Sequence, residues 1–150
     1  MVTPEFQAFL SAAATAAHQM LANATYVQGE LAVLGLAESR RQAIAAVCSA
    51  LIGTKHDVIS ELGELRELAA PPTSTLVQRR VERIARWLGE DLPQLNTVVE
   101  ELDTARGSDP AAGGAYVLVA ESAANVLRAV GQAAAAATEY SAAVRRAGSP

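Results

Sequence analysis

Residues 6–34 read FQAFLSAAATAAHQMLANATYVQGELAVL, and the apolar side chains of this stretch decide the fold. Phe6, Leu10, Ala13, Ala17, Met20, Ala24, Val27, Leu31 and Leu34 follow one another at alternating spacings of four and three. That period puts all nine on one stripe of a helix, the seam that buries against partner helices. Three further segments repeat it. The second carries Ile44, Val47, Leu51, Thr54, Val58, Leu62, Leu65 and Ala69, and the third Val77, Val81, Ile84, Leu88, Leu92, Leu95, Val99 and Leu102. The fourth runs Tyr116, Ala120, Ala123, Leu127, Val130, Ala134, Ala137, Ser141 and Val144. No stretch alternates apolar and polar residues with β-branched enrichment, so no strand is expected. Helices of about 30 residues span roughly 45 Å, and short connections between them force antiparallel neighbours. The expected fold is all-α: an antiparallel up-down-up-down four-helix bundle, with helices at about 4–34, 40–69, 76–106 and 110–147 in one domain over residues 1–150.

The helix ends carry their own signals. Thr3 reads as an N-cap with Pro4 at the first helical position, and Gly35 suits the left-handed turn that ends the first helix. Ser39-Arg-Arg-Gln42 and Thr75-Leu-Val-Gln78 read as capping boxes, and Asp91-Leu-Pro-Gln94 as a third cap. Pro71-Pro72 stops the second helix, in which the step from Thr54 to Val58 to Leu62 is a stutter. Gly89 and Pro93 interrupt the third helix. Its stripe keeps its face across them, which favours a kink over a reversal. Asp109-Pro110 opens the fourth helix, and the tail Gly148-Ser149-Pro150 is expected to fray.

Composition bounds the chemistry. Apolar residues make up 51%, 33 residues are alanine, and aromatics are only 4%, so the core must be small side chains brought close together. The first and fourth seams are the richest in alanine, and their backbones should approach closely. A net charge of −4 argues against nucleic-acid or anionic-membrane binding, which needs a concentrated basic surface. Polar residues interrupt the apolar run at 111–138, against a membrane span, and the N-terminus lacks the basic start of a Sec signal peptide. Cys48 stands alone among apolar neighbours and reads as a buried, inert thiol. Eleven Arg against the single Lys55 is the balance a GC-rich bacterial genome produces.

Bundles hold di-metal sites through Glu-x-x-His pairs, but Thr15 precedes His18 by three residues and Gly53 precedes His56. His18 then reads as a partly buried structural residue and His56 as part of a solvated face. No phosphate-binding glycine loop follows a strand, and no nucleophile sits in a recognisable turn, so neither a cofactor nor a metal is expected. Glu61, Glu64 and Glu67 end the second helix, while Arg79, Arg80, Arg83 and Arg86 begin the third. The Pro71-Pro72 turn brings these ends together, either as facing ion pairs or as an arginine patch for an acidic partner. Glu100, Glu101 and Asp103 read as a solvated face.

Trp87-Leu88-Gly89 resembles the Trp-x-Gly turn of the small helical-hairpin proteins exported by type VII secretion. That resemblance implies a turn between two helices and a Tyr-x-x-x-Asp/Glu signal after the second. Tyr26-Val-Gln-Gly-Glu30 matches the signal but lies upstream, and Tyr140 is followed four residues later by Val144 rather than an acid. Without the resemblance, Trp87 reads as an anchor near the kink.

The functional expectation is a non-enzymatic interaction module, self-associating as a homodimer or docking on a partner protein, cytoplasmic, without nucleic acid or membrane. Its candidate surfaces are Ala129, Ala133, Ala134 and Ala137 on the fourth helix, and Arg79, Arg83, Arg86 and Trp87 on the third. The first alternative is a secreted or secretion-associated protein of the type VII kind, leaving by a non-Sec route. The second is a ligand-binding or enzymatic bundle with a pocket near His18, Tyr26 and Trp87. A seam charge tests the pattern itself: Leu31→Asp should lower stability by about 3 kcal/mol or more, read as a drop in melting temperature.

Overall fold

A computed structural model describes residues 2–148. The chain forms α1 (Thr3–Leu31), α2 (Glu38–Glu67), α3 (Thr75–Glu90), α4 (Leu92–Ala105) and α5 (Pro110–Ala147), and no strand occurs among the described residues. The consecutive pair α3–α4, bent at Asp91, is the third helix of a four-helix bundle. Each helix packs on its neighbours in chain order, and α5 closes the ring on α1. That closing contact, between the two alanine-rich helices, is the most extensive in the molecule. Asn23 meets Asn125, Leu34 lies against Gly114, and Phe6 stacks on Tyr140 at 5.7 Å, so position rises on one helix as it falls on the other. The two run antiparallel, as the short loops require. A side chain added at Gly114 would come within 3.3 Å of Leu34 Cδ2, which shows how closely the α1–α2 loop approaches α5.

Four of the expected caps shift or fail, that at Asp91 among them. Thr3 lies inside α1, whose N-cap is Val2, with no side-chain bond. Ser39 lies inside α2, which begins after Ala37; there Glu38 pairs with Arg41 and accepts a bond from Gln42. The box at Thr75 forms one residue earlier: Ser74 Oγ accepts from Val77 N at 3.2 Å, and Gln78 reaches back to the Thr73 carbonyl. A hydroxyl one residue upstream supplies the same acceptor, so the sequence signal survives with its register moved. Asp109 caps α5 as expected, accepting from Ala111 N at 3.0 Å. Gly35 has φ +66, the one positive φ among the described residues, but it turns the loop and not the helix end: α1 stops at Leu31 with Ala32 as its C-cap, short of the expected Leu34. Of the tail expected to fray, Ser149 and Pro150 lie outside the described residues.

The interruption in the third helix is a kink. Asp91 keeps an α-region backbone between α3 and α4, and its carbonyl accepts from Leu95 N at 3.1 Å. Its carboxylate does not cap α4. It accepts instead from the Thr54 hydroxyl at 2.5 Å, so the bend is tied to the stutter of α2. Past the bend the seam turns: Leu95, Val98 and Leu102 are buried, while Leu92 and Val99 are only half-buried.

The first three seams are otherwise buried as the spacing predicts, save Leu34, half-buried, and Ala69, exposed. The fourth is rotated. α5 buries Ala112, Ala115, Val119, Ser122, Val126, Ala129, Ala133, Tyr140 and Ala143, mostly one position before the expected set; of that set Ala123 and Val130 are buried too, while Leu127 and Ala134 are exposed. Three adjacent 3.5-spaced lines on α5 are almost wholly apolar, so period alone does not choose among them; the large side chains do. Tyr140 is fully buried, its hydroxyl donating to the Pro72 carbonyl at 2.5 Å. Burial, then the charge of Glu82, pushes its phenol from 10.0 up to about 12. The folded state thus holds this proton more tightly than the unfolded chain, and the associated stability is intact below pH 10 and lost between 10 and about 12. Tyr140→Phe should cost about 1–2 kcal/mol at neutral pH. It should also flatten the fall in stability over that alkaline range, read by chemical denaturation at a series of pH values.

Candidate interaction surface

At one end of the bundle the 68–74 loop returns the chain so that α3 lies beside α2. Glu61 is buried there, and its carboxylate accepts from Arg80 Nη1 at 3.1 Å. Arg80 also reaches Glu64 at 3.5 Å, and Arg83 reaches Glu61 at 3.8 Å. The Arg83 guanidinium lies 6.0 Å from the centre of the Trp87 ring. The acidic and basic ends therefore face each other as ion pairs. Arg80 joins them, and it was not among the residues singled out as a surface; burial of Glu61 is what selects it. Arg79 and Arg86 are exposed and make no ion pair among the described residues.

Trp87 is half-buried against the core, and Trp87-Leu88-Gly89 lies in the last turn of α3. The tripeptide precedes a kink, not a chain reversal, so its geometry is unlike the hairpin turn that its resemblance implied. Tyr26 is exposed on α1. His18, expected to be partly buried, is exposed too, because its position on α1 falls outside the stripe that faces the other helices; His56 is exposed as expected.

Inside the bundle, Ala24, Val27, Cys48, Leu51, Val98 and Val126 help to line a cavity of about 20 Å³. That volume admits one water molecule and is far below the ~300 Å³ of a small-ligand site. His18, Tyr26 and Trp87 do not line it and are not brought together. Burial pushes the Cys48 thiol from 9.0 up to about 11, which suppresses the reactive thiolate at neutral pH. No three His, Cys, Asp or Glu side chains gather at metal-binding distance among the described residues. By length and composition α2 alone among the described helices is apolar enough to cross a membrane, a feature its sequence reading had missed. Its seam, however, is buried inside the bundle.

The outer face of α5 is the larger unpartnered surface. Of the four alanines expected there, Ala129 and Ala133 are buried by the rotated seam, Ala137 is half-buried and Ala134 is exposed. Two of the four thus belong to the core. In their place Val117 (55% exposed), Ala124, Leu127 (37%), Gly131 and Ala135 join Ala134 on an exposed apolar strip. A shallow groove beside it, between α1 and α5, is lined by Thr15, Gln19, Asn125, Arg128 and Gln132. The amide of Asn125 donates to Asn23 Oδ1 at 3.2 Å across it.

The chain matches no protein-family model, no curated protein and no solved structure. The arginines offer a test of what each contributes. Arg80→Ala should cost about 1–3 kcal/mol by leaving the Glu61 carboxylate without its closest cation. Arg79→Ala and Arg86→Ala should stay within about 0.5 kcal/mol of the parent in the same denaturant titration.

Proposed function

We propose that this chain is a non-enzymatic helical-bundle interaction module that docks through the outer face of α5 and self-associates there. One observation carries the reading. After the bundle has buried its own seam on α5, the opposite side of that helix still offers Val117, Ala124, Leu127, Gly131, Ala134 and Ala135 to water. An apolar strip left over once the core is complete is the mark of a docking surface. The internal cavity, with room for one water, supports binding at the surface over binding inside. The arginine end is the weaker candidate, because Glu61 and Glu64 already occupy Arg80 and Arg83.

Light scattering of the purified chain beside Ala134→Glu tests this. The parent should approach twice its 15.6 kDa at high micromolar concentration, and the charge on the strip should return it to the monomer. A parent that stays monomeric defeats self-association. A dimer that tolerates Ala134→Glu moves the interface off α5, toward residues 79–86.

A further inference from the structure

The exposed side of α5 carries five charged side chains, and four of them share one edge in an order that is not arbitrary: Glu121, Arg128, Glu139 and Arg146. At 100° per residue they fall within about 20° of one another, along a single edge of the helix. The apolar strip of Val117, Ala124, Gly131 and Ala135 runs immediately beside them. All four are exposed, and none forms an ion pair among the described residues. Beside Arg128 the neighbouring surface of α1 is neutral: Thr15 and Gln19, with Asn23 one turn on. Four water-exposed charges of alternating sign thus border an apolar strip without an ion-pair partner among the described residues.

Their spacing is self-complementary. The signs read minus, plus, minus, plus, and Glu121 with Arg146 shares one midpoint with Arg128 and Glu139, between Ala133 and Ala134. We infer that the occupant of this face is a second copy of the chain, its α5 laid antiparallel on the first about a two-fold axis near that midpoint. Glu121 of each copy then pairs with Arg146 of the other, and Arg128 with Glu139. The inference rests on the reading of α5 as the docking face.

The two-fold operation makes the match possible. An axis perpendicular to an antiparallel helix pair brings the same edge of each helix together, so every contact between two positions occurs twice. A parallel two-fold pair would instead carry the two charged edges to opposite sides of the interface, where none of these four charges finds a partner. Near the axis the exposed apolar strip carries only Gly131, Ala134 and Ala135. Side chains are smallest where the two helices cross, so their backbones come near enough for the flanking charges to meet. Exposed pairs of this kind set orientation and register, while burial of the apolar strip drives association.

The experiment is a charge-exchange cycle followed by sedimentation equilibrium of the full chain, with Arg128→Glu, Glu139→Arg and the double variant. Both substitutions are at exposed positions, and circular dichroism verifies that each variant stays helical. Each single variant loses two of the four pairs and should weaken the dimer by about fivefold or more. The double variant recreates both pairs with reversed polarity and should return to within about twofold of the parent. Adding Glu121→Arg to Glu139→Arg should not restore it, since those two positions do not meet. If Ala134→Glu dissociates the dimer but the cycle shows no coupling, the proposed register is overturned and docking through α5 stands. If the parent is monomeric throughout, the second copy and self-association fall together.

Discussion

The α1–α5 contact is the constraint on which the rest of the bundle depends. Ala13, Ala16 and Ala17 on one helix, and Ala112, Ala115 and Ala133 on the other, have no solvent exposure. A core with few aromatics reaches native packing density only if its helices approach closely, because any gap forfeits dispersion contacts on both sides. The antiparallel register of α1 and α5 is marked along its length by Leu34 near Gly114, Asn23 on Asn125 and Phe6 on Tyr140. With those two helices locked, α2 and the α3–α4 pair fill the opposite side with larger residues: Leu51, Val58, Leu62, Ile84 and Leu88.

The same contact decides which way α5 faces. Tyr140 needs both a cavity for its ring and an acceptor for its hydroxyl, and Phe6 and Pro72 provide them. A helix is stiff, so fixing Tyr140 inward turns the whole of α5. Leu127 and Ala134 then point outward, and Glu121, Arg128, Glu139 and Arg146 line up along the exposed side. Surface chemistry on this helix follows from a buried hydroxyl at its far end.

One pair of polar groups inside the bundle, Thr54 and Asp91, sits where helical regularity breaks. Thr54 lies at the stutter of α2 and donates to Asp91 at the bend between α3 and α4. Each residue alone would be a defect: a hydroxyl in a seam, and a carboxylate that caps nothing. Together they satisfy one another and join the two irregularities. Glu61 is a similar case at the other end of α2, a buried carboxylate made tolerable by Arg80 and Arg83.

What the sequence by itself determined is local. Helical period, the stop at Pro71, the Asp109 cap and the kink between Gly89 and Pro93 all depend on residues within a turn or two of each other. Such signals are readable without knowing the fold. The two clusters of charge that meet across the 68–74 loop were legible for the same reason, because the loop is short. Tertiary structure alone decided the rotation of α5, the pairing of Thr54 with Asp91, and the choice of Arg80 over Arg79 and Arg86. On α5 the apolar pattern is degenerate, so several faces could have served as the seam, and contacts distant in sequence had to break the tie. The alternation from Glu121 to Arg146 was present in the sequence throughout. It became interpretable only once packing had turned that edge toward water, since the same four charges mean nothing for docking until the side they occupy is known to be outside.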